Sequence, residues 1–244
     1  MTQYDNRTAQ TATTARTGAA VDEGLRSYML GVYNYMSAGV ALTGLVAYAV
    51  SEYATANPAV AQFLYYSPMK WVLMLAPLAF VLVLSFGLHK LSAAATQGVF
   101  WAFAAVMGLS LSVIFLIYTN TSIFQTFIVT SGAFAGLSLY GYTTQKDLSG
   151  WGSFLIMGVV GLIIAMVVNW FLQSSALAFA ISVIGLLVFA GLTAYDTQRI
   201  KDEYLVIRHN AEMVAKASVM GALSLYLDFV NMFQFLLSFM GDRE

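Results

Sequence analysis

Apolar residues fall in long charge-free runs separated by short polar breaks, and each run has the roughly 20 residues that an α-helix needs to cross a bilayer. The first run covers residues 27–51 and is closed by Glu52; the second covers 71–88, between Lys70 and the pair His89-Lys90. No charged residue occurs from Leu91 to Gln145, a length that fits two helices, and the polar break Thr119-Asn120-Thr121-Ser122 divides it into 98–118 and 123–142. By the same reasoning Gln173-Ser174-Ser175 separates 151–171 from 176–195, and 217–240 is the seventh run. The pattern predicts an all-α integral membrane protein of seven spans.

Residues 1–25 stand apart. They are polar and rich in Thr and Ala, with no apolar stretch of the signal-peptide kind, and read as a flexible cytoplasmic tail. A short interfacial helix near 21–26 is the alternative. Residues 26–244 then form a single membrane domain.

Composition supports lipid as the solvent: 59% of residues are hydrophobic, 9% are charged and the mean hydropathy is +0.74, against about 25% charged in an average soluble domain. A net charge of −1 leaves no electrostatic footprint for nucleic acid, and the absence of cysteine removes thiolate chemistry and zinc–cysteine sites. Charge also orients the chain. With the N-terminus inside, Arg7, Arg16, Arg26, Lys90, Lys146, Arg199, Lys201, Arg208 and Lys216 are all cytoplasmic, against Lys70 and Arg243 outside. Basic residues favour the cytoplasmic side, so this count places the N-terminus in the cytoplasm and residues 241–244 outside.

Asp228 is the only ionisable residue in the last run. A carboxylate at that depth costs from about 3 to more than 10 kcal/mol, so such groups are normally kept for ion pathways or proton relays. Asp196 closes the sixth run, ahead of a charged loop over 201–216. Alone it could be an interfacial carboxylate paired with Arg199 or capping the next turn. Spans six and seven are neighbours through one connection, however, which lets the two carboxylates meet. Depth opposes this, because Asp228 lies about eleven residues, or roughly 16 Å, into its span. If they do meet, two carboxylates about 4 Å apart repel by about 4 kcal/mol at an effective dielectric of 20. The pair would titrate as a unit and share a proton near neutral pH. It could serve as a proton switch, as a weak Ca²⁺ site, or as both.

Other polar residues are less specific. Ser224, Asp228 and Asn231 share a helix face and could line a water-filled path, or could simply hydrogen-bond between helices. Asn34 and Asn169 read as interhelical or interfacial groups. Gly132 and Gly136 form a GxxxG pattern, and Gly158 and Gly161 a second thin face; both are expected to pack inside the bundle. Pro77 is a candidate kink. His89 and Lys90 are either a snorkelling pair or a cation within reach of the end of span six. With two histidines far apart, no histidine-based metal centre is expected.

No HExxH, P-loop or GxSxG motif occurs, and span seven has no Lys for a retinal Schiff base. Paired-aspartate intramembrane proteolysis needs a Gly-rich signature that is missing around both residues. The expectation is a non-enzyme without a cofactor.

Residues 191–200 read Gly-Leu-Thr-Ala-Tyr-Asp-Thr-Gln-Arg-Ile, and 222–233 read Ala-Leu-Ser-Leu-Tyr-Leu-Asp-Phe-Val-Asn-Met-Phe. These two stretches resemble the C-terminal signature of the Bax inhibitor-1 family, the transmembrane Bax-inhibitor-motif proteins, in its bacterial form. The resemblance implies a bacterial inner-membrane protein whose last helix is central and wrapped by the other six. It further implies a pH-sensitive calcium leak in which a dyad matching Asp196 and Asp228 senses protons and gates the pore. In the family's bacterial pattern an Arg near the end of span two latches onto the dyad; here residues 87–92 read Gly-Leu-His-Lys-Leu-Ser, leaving His89 or Lys90 as substitutes. Two other readings stay open: an interaction protein that modulates a membrane-bound quality-control protease, and a proton-coupled cation exchanger.

Overall fold

The computed structural model describes residues 2–87 and 90–242, with side chains from Glu23 onward. Its helices are α1 (Thr2–Ala56), α2 (Pro58–Ala61), α3 (Met69–Gly87), α4 (Ala93–Leu111), α5 (Asn120–Thr143), α6 (Ser149–Leu172), α7 (Ser175–Ile207) and α8 (Ala211–Met240). All but α2 contribute one of seven segments long and apolar enough to cross a membrane.

The breaks form as the polar residues dictate. Thr119, Ser174 and Asn210 adopt extended backbone and accept, through their side chains, from Ser122 N, Leu177 N and Met213 N, each capping the helix it precedes. Gln173 takes the left-handed conformation at φ 49° after α6, and the side chain of Asn169, expected between helices, instead accepts from Ser174 N at 3.0 Å to hold that turn. Ser92 caps α4 in the same way, so the third span begins at Ala93 rather than at 98.

Two expectations about helix ends change. Residues 201–216, expected as a charged loop, are helical except for the connector Arg208-His209-Asn210. Lys201, Asp202 and Glu203 extend α7 beyond the apolar segment, because a charged side chain ends contact with lipid without disturbing the i to i−4 backbone bonds. At the other end of the chain, α1 runs back through residues 2–25, which the sequence suggests as a flexible tail.

Burial shows which helix is central. In α8, 61% of the apolar window is buried, against 11–33% in the other six segments. α1, α4, α5 and α7 pack directly on α8, while α3 packs on α4 and α6 on α7 to complete the ring. The core is aromatic: Tyr226 of α8 meets Phe100 and Phe103 of α4 edge-on, with centroids 6.3 and 5.2 Å apart. Gly39 of α1 leaves room for Phe100, whose ring tip would stand 2.8 Å from a β-carbon there. The expected GxxxG packing does not occur. A β-carbon at Gly132 or Gly136 would meet nothing within 4 Å, so this face of α5 looks outward; Gly158 packs on Val188, whereas Gly161 is also open. Pro77 is buried within a continuous α3.

At the end of α8 the chain is pinned to the start of α5. Thr119 N donates to Asp242 O at 3.1 Å, and Asp242 N donates to Ser122 Oγ at 3.0 Å.

Candidate functional site

The short connector between α7 and α8 brings the two aspartates together. Asp196 lies 13 residues before His209 and Asp228 lies 19 after it, an offset of about 9 Å along the hairpin at 1.5 Å per residue. Expecting a longer loop overestimates this offset. Ile200 packs on Gly221 one turn away, which fixes the register of the hairpin, and the carboxylate of Asp196 acts electrostatically on that of Asp228.

Both carboxylates are inside the bundle: Asp196 is 8% exposed and Asp228 is 3% exposed. Their surroundings differ. Asp196 Oδ1 is 3.2 Å from Arg199 Nη2, one turn along the same helix, and Arg199 Nη2 also donates to Ser224 Oγ of α8 at 3.1 Å. Asp228 Oδ2 has no hydrogen-bond partner, a condition it shares among buried side-chain atoms of the described residues with Tyr28 Oη alone. Buried polar oxygens are nearly always satisfied, so this orphaned carboxylate oxygen singles out Asp228 as a candidate functional group.

The motif around Asp196 makes sense on a helix, where successive residues point about 100° apart and so reach different neighbours. Thr197 Oγ1 is 3.0 Å from Ser138 Oγ of α5, which is 2.6 Å from Tyr33 Oη of α1. Gln198 clamps the α5–α6 connection, donating to Lys146 O at 2.9 Å and accepting from Leu148 N at 2.8 Å. Arg199 turns to α8 as described, and Lys201 Nζ donates to Tyr142 O of α5 at 3.0 Å. Each polar member of the motif after Asp196 therefore fastens α7 to a different part of the bundle.

Arg199 also lines a cavity of about 740 Å³ with Tyr195, Gln198, Asp202, Glu203 and Ser224, bordered as well by Ser85 of α3 and Ser149 of α6. Neither aspartate lines it; the half-exposed guanidinium stands between this polar chamber and Asp196. No group of three or more His, Cys, Asp or Glu side chains placed to hold a metal occurs among the described residues.

The remaining candidates separate. Ser224 joins the site through Arg199, whereas Asn231 donates to Leu227 O of its own helix at 2.7 Å and belongs to the backbone of α8. His89, a possible latch cation, lies outside the described residues. Lys90 is exposed at the α3–α4 turn and forms no ion pair among the described residues. Among the described residues the cation paired with Asp196 is Arg199, on the same helix, because a spacing of three residues puts the two on one face. The Tyr33–Ser138–Thr197 chain carries no sequence signal, since single hydroxyls in three distant spans do not announce one another.

These features define an integral membrane protein built on seven membrane-spanning helices, with two buried carboxylates on the last two helices and a half-exposed guanidinium paired with one of them. The chain belongs to the Bax inhibitor-1 family: residues 25–244 match the family model described as inhibitor of apoptosis-promoting Bax1. It is 46% identical over 224 residues to the inner membrane protein YbhL of Escherichia coli, covering 91% of this chain and 94% of that one. A protein of Caulobacter vibrioides is 44% identical over the full length of both chains, and one of Rickettsia prowazekii is 45% identical over 96% of this chain and 98% of its own. With seven candidate spans, these relatives make the chain an integral inner membrane protein.

Proposed function

We propose that this protein is a pH-sensitive calcium leak, not an enzyme, in which Asp196 and Asp228 together sense protons and control conduction. The observation that carries the reading is the orphaned Oδ2 of Asp228, buried beside a second carboxylate that has a cation of its own. Two such groups in a low dielectric cannot both stay charged at small cost, so their proton count responds to pH. Protonating Asp196 removes the anion that holds Arg199. The guanidinium then loses one side of its bridge to Ser224 on α8, and the balance between α7–α8 arrangements shifts.

Ca²⁺ enters as cargo. Two carboxylates leave most of the six to eight oxygen positions that Ca²⁺ prefers to water or carbonyls, which suits passage better than storage. The excess of basic residues on one side supports a cytoplasmic N-terminus, putting the chamber beside Arg199 toward the cytoplasm.

The test is Ca²⁺ flux into proteoliposomes across about pH 5.5 to 8.5, comparing the unaltered chain with Asp228→Asn and Asp196→Asn. Flux whose pH dependence is lost in either variant supports the reading. Flux no greater than in empty liposomes at every pH overturns it and moves the function to an interaction role, such as modulation of a membrane protease.

A further inference from the structure

On the side of the bundle away from the Arg199 chamber, α1 and α5 stand apart and α8 forms the floor of the gap. Two cavities lie there, of about 690 and about 500 Å³, and Val40, Phe127 and Phe229 line both, so they join into one trough. Ser37, Ala41 and Gly44 on α1 and Ser131 and Ala135 on α5 line it among larger side chains such as Met36 and Phe134, and among the described residues one side-chain hydrogen bond, Tyr33–Ser138, joins α1 to α5. Along α1 the trough reaches from Arg26 to Tyr48, 22 residues, or about 33 Å at 1.5 Å per residue. The larger cavity alone reaches from Arg26 to Ala41, 15 residues, or about 22 Å, enough for the roughly 15 Å that one leaflet contributes to a hydrocarbon core of about 30 Å.

The two ends differ in charge. Arg26 lies exposed at the mouth of the larger cavity with no ion pair among the described residues, and no other charged side chain lines either cavity. An apolar slot longer than one leaflet is thick, headed by a guanidinium that forms no ion pair among the described residues, suits an acyl chain attached to an anion. We propose that the trough is a binding site for a phospholipid with an anionic headgroup, one acyl chain lying between α1 and α5 and the phosphate held by Arg26. A guanidinium offers paired N–H donors matched to phosphate oxygens, and its charge adds an attraction that a zwitterionic headgroup offsets with its own cation.

This site is independent of the dyad, and its test does not use flux. The full chain in a non-ionic detergent is incubated with dioleoyl phosphatidylglycerol or dioleoyl phosphatidylcholine, and retained lipid is counted by native mass spectrometry. One basic residue at the membrane surface corresponds to about a fivefold preference for the anionic lipid. Arg26→Gln should abolish that preference, whereas Arg26→Lys, which keeps the charge, should hold part of it. Ala135→Trp, filling the trough, should lower retention of both lipids several-fold relative to Ile164→Trp, a control on the exposed face of α6. Equal retention of the two lipids by the unaltered chain overturns the proposal. So does a preference that survives Arg26→Gln or is lost as completely in Arg26→Lys, or an Ala135→Trp protein that retains lipid as the Ile164→Trp control does.

Discussion

Tyr226 ties the central helix to two of its neighbours, and removing its parts one at a time should destabilise the protein in a definite order. Its ring is fully buried, its Oη is 2.6 Å from Thr43 Oγ1 of α1, and Thr43 Oγ1 donates in turn to Ala104 O of α4 at 2.8 Å. Tyr226→Phe deletes one hydrogen bond but leaves Thr43 bonded to Ala104, so nothing is orphaned. Measured side-chain bonds between membrane helices suggest a cost of about 0.6 kcal/mol, at most about 1.7. Thr43→Val is worse, because it strips the buried Tyr226 hydroxyl of this partner while leaving the hydroxyl in place; a buried polar group without a partner costs about 1–3 kcal/mol. Tyr226→Ala removes the ring between Phe100 and Phe103 and opens a cavity, at about 3–5 kcal/mol. At about 2–4 °C per kcal/mol for a chain of this size, thermal unfolding in detergent resolves the three. The expected order of loss is Tyr226→Phe, then Thr43→Val, then Tyr226→Ala. A Tyr226→Phe protein as unstable as Tyr226→Ala would refute the argument, since it would place the stability in the hydroxyl rather than in the packed ring.

Three further outcomes follow from other parts of the molecule. A β-carbon at Gly141 of α5 would collide with the carbonyl of Ala194 in α7, so Gly141→Ala should cost about 1–3 kcal/mol by overpacking; Gly136→Ala, where nothing lies within 4 Å, should leave the melting temperature unchanged or raised. Asp147 Oδ1 accepts from Ser149 N at 2.8 Å, and the hydrogen bonds from the Ser149 side chain and backbone hold its carboxyl below the ordinary 3.8. Its stabilisation is therefore complete above the unfolded-state value and lost as pH falls through the lower folded-state value, so the melting curves of Asp147→Ala and the unaltered chain should differ at pH 7 and converge as the pH drops below the ordinary carboxylate range. A reporter enzyme active only outside the cytoplasm, fused after Glu244, should be active; an inactive fusion with an active one at the α7–α8 connector would invert the proposed orientation.

How much of this was legible in the sequence depends on what each signal measures. Charge-free runs locate all seven crossings because lipid excludes charge, but a charge marks where lipid ends and not where a helix does. That is why 201–216 reads as a loop when Lys201, Asp202 and Glu203 are helical, and why the offset between Asp196 and Asp228 reads as roughly 16 Å. The lone carboxylate in the last run is visible by contrast with its surroundings. The pairing of Asp196 with Arg199 is visible as a spacing of three, whereas its extension to Ser224 depends on the register of two helices. Gly132 and Gly136 show that α5 has a thin face without showing whether another helix covers it. Tyr33, Ser138 and Thr197 give no hint at all, because a hydroxyl within a span is compatible with bonding to its own helix.

The connector between α7 and α8 is only three residues long, and both aspartates ride on the hairpin it closes. Swinging or tilting that hairpin as one body leaves the distance between the two carboxylates unchanged, so motions of the outer helices alone cannot part them. Separation requires shear within the hairpin, α7 sliding or rolling against α8 while Ile200 leaves its seat on Gly221. α7 packs on α5, α6 and α1 as well as on α8, so any such slide disturbs those contacts too. Thr197, Gln198, Arg199 and Lys201 all lie on α7, within five residues of Asp196, and their bonds to α5, α8 and the α5–α6 connection are the ones such a stroke must release.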